Sequence, residues 1–349
     1  MLNDVHCHFF SSKFFSALSR QRGRSETSEQ LCRELQWDDP GTPDALADRW
    51  IRELDTHGVG RAALIASVSG DEESVATAVA RHPDRLVGFF MLDPAANDAP
   101  QRARRAIEEL GLRGLCLFPA MNHVPLGDSR VQQVVEVAAG RPGTAVFIHC
   151  GVLSVGVRRK LGLPSAFDLR LGDPLGVARL ALAYPNLPFV IPHFGAGMLR
   201  EALIAADTCA NIHLDTSSSN GWIRYTPGLT LEAVFKAAIG VAGPRRLLFG
   251  TDSSFFPRGW QRAIYDTQKA AIASLGVREA DEALILGGNF DRLFPRSYGR
   301  RMRRPIVTGI QCGEPDPGIA GRRAARRAPG RRAGSPSNPI APRMLARVD

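Results

Sequence analysis

The strongest constraint on this chain is an alternation that recurs eight times. Short apolar runs of strand length are each followed by a longer segment with helical periodicity. The runs are 5–10, 61–67, 86–92, 114–118, 144–150, 188–192, 211–216 and 246–250. The intervening helices are expected over 42–57, 71–81, 101–110, 128–139, 173–184, 198–209, 231–242 and 265–275, with a further one over 279–286. Thr42 as a cap and Pro43 at the first position mark one helix start. Strands alternating with helices predict a parallel sheet built from crossover units. Eight of them predict closure into a (β/α)8 TIM barrel, an α/β fold. A doubly wound open sheet is the alternative, but no G-x-G-x-x-G follows the first strand. The connections after strands one and five are long. Loops at the carboxyl ends of barrel strands build active sites, so these two are expected to wall a pocket.

Composition divides the chain in two. The whole has 349 residues and a net charge of +9, but residues 296–349 hold 13 arginines against 3 acidic residues. The remainder is close to neutral, with 31 basic and 32 acidic residues. The charge therefore says nothing about the ligand of the body, and no nucleic-acid partner is expected for it. Residues 1–295 are read as the barrel. Residues 296–349, rich in Arg, Pro, Gly and Ala, are read as a basic, low-complexity and disordered tail, because they have too little apolar material to offset the entropy of ordering. A shifted reading frame in a GC-rich gene would produce the same composition. No apolar run approaches a membrane span. None of the six cysteines forms a C-x-x-C pair, and Cys7, Cys116 and Cys150 lie inside strand-like runs. With no secretory signal ahead of the first strand, a cytoplasmic protein is expected.

Four of the strands end in ionisable groups. His6 and His8 lie two apart on the first strand and so share a face, with Cys7 on the other. His149 ends the fifth strand, His193 the sixth, and Asp252 follows the eighth. Each of these is unremarkable alone. In a barrel all four ends converge on one mouth, and four imidazoles with a carboxylate suit a borderline divalent metal such as Zn²⁺.

The stretches 4–10 (DVHCHFF), 146–151 (VFIHCG), 191–197 (IPHFGAG), 247–257 (LLFGTDSSFFP) and 287–294 (GGNFDRLF) together resemble the amidohydrolase superfamily. Within it they are similar to the amidohydrolase-related branch that includes aminocarboxymuconate-semialdehyde decarboxylase. The resemblance covers residues 1–295. It implies that His6, His8, His149 and Asp252 are ligands of one divalent ion, with Zn²⁺ preferred. It also implies that His193 is an acid/base beside them and that Asp252 doubles as a proton acceptor. Some relatives bridge two metals with a strand-four lysine. Strand four here reads GLCLFP, so one metal is expected. A homodimer is compatible with the resemblance, although no sequence signal marks an interface.

Arg158, Trp222 and Arg224 are the candidate substrate-binding residues, with Arg159 and Lys160 beside Arg158 and a further pair, Arg258 and Trp260, after strand eight. Asp215 is expected to fix loops by hydrogen bonds. The function expected first is metal-dependent hydrolysis of a small amide, ester or lactone, and a basic clamp at Arg158 would suit a carboxylate on it. The second is non-oxidative decarboxylation of an aromatic or unsaturated acid. The stretch TDSSFFP departs from the TDYPF of characterised decarboxylases. A non-catalytic barrel would have lost a ligand, and all five positions are present.

Overall fold

A computed structural model describes residues 1–296. Its eight strands are β1 (Leu2–Phe9), β2 (Val59–Ala66), β3 (Leu86–Met91), β4 (Gly114–Leu117), β5 (Ala145–Ile148), β6 (Phe189–Ile191), β7 (Ile212–Asp215) and β8 (Leu247–Leu248). All neighbours are parallel, in the order β1 to β8. The ends of the sheet meet through backbone hydrogen bonds. Val5 N–H donates to Phe249 O (2.9 Å), Asp252 N–H to His6 O (2.9 Å) and His8 N–H to Ser253 O (2.7 Å). The expected (β/α)8 barrel is therefore the observed fold, and the open-sheet alternative falls.

The helices are α1 (Ser12–Gln21), α2 (Ser28–Leu35), α3 (Pro43–Thr56), α4 (Glu72–Arg81), α5 (Ala99–Arg104), α6 (Pro119–Asn122), α7 (Ser129–Ala139), α8 (Gly156–Lys160), α9 (Pro174–Ala183), α10 (Leu199–Thr208), α11 (Leu231–Ala242), α12 (Arg262–Ser274), α13 (Glu279–Ala283) and α14 (Asn289–Leu293). Thr42 caps α3 as expected, accepting from Ala45 N–H, with Pro43 in the first turn. Two expectations need correction. The helix placed over 279–286 continues through a π-helical turn, Leu284–Gly288, into α14. The connection after β1 contains α1 and α2, which the apolar periodicity did not mark. Ser11 caps α1, and α2 opens on a reciprocal cap between Thr27 and Gln30.

Those two helices explain how the mouth is covered. Phe14, Phe15, Leu18, Leu31, Leu35 and Trp37 from the β1 connection pack against Val157, Leu161 and Leu163 from the β5 connection. Neither segment buries its apolar face alone. Packed together they form one hydrophobic cap.

The barrel interior is filled by Val5, Ile65, Val87, Phe89, Cys116, Phe147, Val190 and Leu248, with Phe290, Leu293 and Phe294 from α14 and its end plugging the other opening. Cys116 packs in this interior, and burial pushes its thiol out of the reactive range. The β1 register slips between Asp4 and Cys7. As a result Val5 belongs to the interior, while Cys7 and Phe9 belong to the outer core against the helices. No helix among the described residues is long and apolar enough to cross a membrane. Apart from Arg296, the expected tail over 296–349 lies outside the described residues.

Two predictions follow from this packing. A methyl group at Gly114 would run into the Phe89 ring inside the barrel. Gly114→Ala should therefore lower the unfolding free energy by about 1–3 kcal/mol in chemical denaturation. An unchanged midpoint would show that the interior has slack there. Because Phe294 already closes the barrel, a chain ending at Arg296 should melt within a few degrees of the full-length protein. Loss of cooperative melting would overturn the division into barrel and tail.

Candidate metal centre and active site

The β1 slip and the β8–β1 closure deliver His6, His8 and Asp252 to one point. His6 Nε2 and His8 Nε2 are 3.3 Å apart. Asp252 Oδ1 is 3.1 Å from His8 Nε2 and 3.7 Å from His6 Nε2. Ligand atoms about 2.0–2.1 Å from one tetrahedral Zn²⁺ lie about 3.3 Å from each other, so the three atoms are already spaced as ligands.

The hydrogen bonds behind the rings fix which nitrogens carry protons. His6 Nδ1 faces Asp215 Oδ2 at 2.7 Å. An ionised carboxylate only accepts, so His6 Nδ1 donates. His8 Nδ1 lies 2.8 Å from Ser67 Oγ, whose own proton goes to Ile65 O (2.9 Å), so His8 Nδ1 donates as well. Both Nε2 atoms therefore present lone pairs to each other and to a carboxylate oxygen, an arrangement that a cation satisfies. These backing contacts are the usual means of orienting metal-binding imidazoles.

His149 stands on the far side, stacked on Phe118 with ring centroids 5.3 Å apart. Its Nδ1 is buried without a hydrogen-bond partner, and its ring edge meets His193 with centroids 5.3 Å apart. An orphaned buried imidazole nitrogen fits a ligand position, yet His149 does not converge with His6, His8 and Asp252 as closely as those three do among themselves. A second group, His6, His193 and Asp215, is also compact. Ser217 Oγ sits among those three and hydrogen-bonds to each. That group supports the site from behind and is not a second metal site.

The site's charges follow from this packing. Burial works against ionised Asp252, but the adjacent His8 and the fields of His6 and His193 hold its carboxyl below the ordinary range. Burial also opposes charge on His6, where the adjacent Asp215 outweighs it and raises the pKa. For His8, His149 and His193 burial wins and lowers the pKa, reinforced at His193 by His6. His193 and Asp252 both sit on left-handed backbone (φ 55° and 60°), as do Phe194 (52°) and Ala196 (45°). Such conformations cost an L-residue about 1–2 kcal/mol, so the surrounding structure holds the mouth in them.

A cavity of about 740 Å³ opens above these residues. Its walls come from both long connections, as expected. Phe10, Phe14, Trp37, Phe118, Trp222 and Phe255 supply aromatic surface, and Lys160, Arg224 and Arg258 supply positive charge. Trp37 and Phe255 stack at 3.8 Å, with Arg258 over Phe255 and Lys160 over Trp37. Of the candidate substrate residues, Trp222 and Arg224 line this cavity. Arg158 does not. Its guanidinium donates to Pro164 O (Nε, 3.1 Å) and to Gln21, bracing the two mouth connections. Sequence reasoning missed Ser67 and Ser217; Asp215 does hold the segment after β7, as expected, accepting from Ser217 N–H at Oδ1 (2.7 Å), but its Oδ2 also backs His6. No periodicity marks such contacts, because they arise between strands that are neighbours only in the closed barrel.

Residues 4–296 match the amidohydrolase family model. The chain belongs to the amidohydrolase family. The match bears out the resemblance seen in the motifs. No curated protein matches the chain in sequence. Among solved structures, the chain is similar to 5-carboxyvanillate decarboxylase from Novosphingobium aromaticivorans with bound manganese and a nitrobenzoic acid ligand (TM-score 0.58, 12% identity, 84% of this chain and 97% of that one). It is similar to a probable 2-pyrone-4,6-dicarboxylic acid hydrolase from Acinetobacter baumannii with bound citric acid (0.55, 15%, 84% and 98%). It is also similar to an amidohydrolase from Burkholderia multivorans with bound zinc (0.53, 17%, 84% and 99%). At these identities the likeness establishes a shared fold.

Metal analysis of the purified protein should find about one equivalent of a divalent ion, and His6→Ala should abolish its retention. Asp215→Asn, which leaves the ligands in place, should weaken metal affinity by roughly 10–100-fold in a chelator competition. Unaltered affinity in Asp215→Asn would show that the hydrogen bond behind His6 is dispensable.

Proposed function

We propose that this amidohydrolase-family chain is a metal-dependent hydrolase of a small, carboxylate-bearing amide, ester or lactone. The observation that carries the reading is the Asp252 carboxylate, placed beside the Nε2 atoms of His6 and His8 and opening on the cavity. His6, His8, Asp252 and His149 would hold one ion, and an imidazole-rich set favours Zn²⁺ among the metals its relatives bind. Such an ion would supply a Lewis acid and an acidified water. Asp252, partly exposed, would accept the proton from the attacking water. His193, on the opposite side of His6, would exchange a proton with the leaving group. Lys160, Arg224 and Arg258 form no salt bridge with an acidic side chain among the described residues. Their positive charge at the cavity wall, only that of Arg258 lying near an acidic group, Asp252, supports an anionic substrate. The five described cysteines are unpaired and buried, which supports a reducing, cytoplasmic location.

A second reading is non-oxidative decarboxylation of an aromatic or unsaturated acid. The aromatic wall of Phe10, Trp37, Phe118 and Phe255 favours it, as does the likeness to a decarboxylase. In that reaction a proton first taken up at His193 Nε2 would pass to carbon. A substrate panel followed in parallel for CO₂ release and for acid release separates the two. The hydrolase reading expects acid release from a lactone, ester or amide without CO₂. Release of CO₂ from an aromatic acid, with no ester or lactone turned over, would replace it with the second.

A further inference from the structure

We propose that Ser217 is a positioning residue: it locks neutral His193 in the tautomer that carries its proton on Nδ1, leaving Nε2 as the acceptor toward the cavity, and ties that ring to the ligand His6. The inference rests on the reading of His193 as the acid/base of a metal-dependent reaction.

The argument is a count of protons. Ser217 Oγ lies 2.8 Å from Asp215 Oδ2, 2.9 Å from His193 Nδ1 and 3.0 Å from His6 Nδ1. A hydroxyl has one proton to give. Asp215 Oδ2 also receives the His6 Nδ1 proton at 2.7 Å and can donate nothing, so a 2.8 Å contact with it requires the Ser217 proton. Ser217 Oγ is then left with lone pairs for the histidines. His193 Nδ1 also faces Ser217 O at 3.2 Å, a carbonyl that only accepts. Two acceptors around one ring nitrogen are satisfied only if that nitrogen bears the proton. The reverse tautomer would set a lone pair against the carbonyl in a site closed to water, with Ser217 wholly buried.

The chain builds Ser217 rigidly enough for this task. Its own N–H donates to Asp215 Oδ1 at 2.7 Å. Asn220 Nδ2 donates to Thr216 O and Ser218 O, and Trp222 Nε1 donates to Asn220 Oδ1 at 3.0 Å, which fixes the segment after β7. Gly250 leaves the space. A Cβ there would lie 2.9 Å from both Asp215 Oδ1 and His6 Cβ, and 3.0 Å from Ser217 Cβ. His193 itself follows β6 on left-handed backbone, outside the pleat that would aim a strand residue. Its ring direction therefore depends on what Nδ1 bonds to.

The test is long-range ¹H–¹⁵N correlation spectroscopy of the full chain labelled at its histidine nitrogens, at about pH 8, with and without added Zn²⁺, with His193 assigned by its loss in His193→Gln. The wild-type ring should show a protonated Nδ1 and an unprotonated Nε2. Ser217→Ala removes the 2.9 Å hydroxyl contact and keeps only the longer 3.2 Å carbonyl contact, so it should shift His193 measurably toward the Nε2-protonated tautomer, and Ser217→Thr should restore the wild-type pattern. Wild-type His193 protonated at Nε2, or a pattern unmoved by Ser217→Ala, would overturn the proposal. If Ser217→Ala does not fold, Ser217→Cys, of similar size but a far weaker acceptor, takes its place. The spectrum reads the tautomer without turnover, so loss of the hydrolase reading would leave this result standing, and the reverse also holds.

Discussion

The rest of the structure depends on how the last strand returns to the first. β8 has only two ladder residues, so closure falls to the segment after it. There Asp252 N–H bonds to His6 O and His8 N–H bonds to Ser253 O. These are the same residues that carry the site. Beneath them lies Asp4, fully buried, whose carboxylate accepts hydrogen bonds from four donors: His6 N (2.8 Å), Thr251 N (3.2 Å), Thr251 Oγ1 (2.5 Å) and Trp260 Nε1 (2.8 Å). Burial pushes the Asp4 carboxyl up to about 6, against the pull of those donors. One carboxylate thus clamps the first strand, the last strand and the following loop. Barrel closure and alignment of the candidate ligands become a single event.

That coupling accounts for the division of labour at the mouth. β1 supplies rigid positions for His6 and His8, and His149 follows β5 with its N–H still bonded to Leu117 O (3.0 Å). The residues whose chemistry requires an unusual direction, His193 and Asp252, sit just beyond strand ends on left-handed backbone. Their aim is set from behind by Ser217 and from the side by His8. The cavity wall is the most varied part, built from two connections that share a hydrophobic cluster and carry both the aromatic surface and the cations. Within one family fold, substrate choice would change through such connections while the floor remains.

Much of this was legible before any coordinates. The eightfold alternation gave the barrel. The strand-end positions of His6, His8, His149, His193 and Asp252 placed them at one mouth, and Cys7 faced the helices as its place between two like-facing residues required. The helices α1 and α2 were missed. They are short, polar on one side and stabilised by tertiary packing, though the Thr27–Gln30 cap was readable. The π-helical turn that prolongs α13 into α14 was missed because its glycines, Gly287 and Gly288, read as a stop. Gly287 is in fact demanded by close approach to the Met1 carbonyl.

Sequence by itself determined the period of the fold and the types of donor at each strand end, since periodicity and residue chemistry are local properties. Tertiary structure alone decided which nitrogen of His6, His8 and His193 carries a proton, because that depends on Asp215, Ser67 and Ser217, brought from β7 and the end of β2 by closure. It also decided that Arg158 braces two mouth connections while Lys160, Arg224 and Arg258 face the cavity. A side chain's partner across a barrel is fixed by strand order and stagger, and neither is written in any window of the chain.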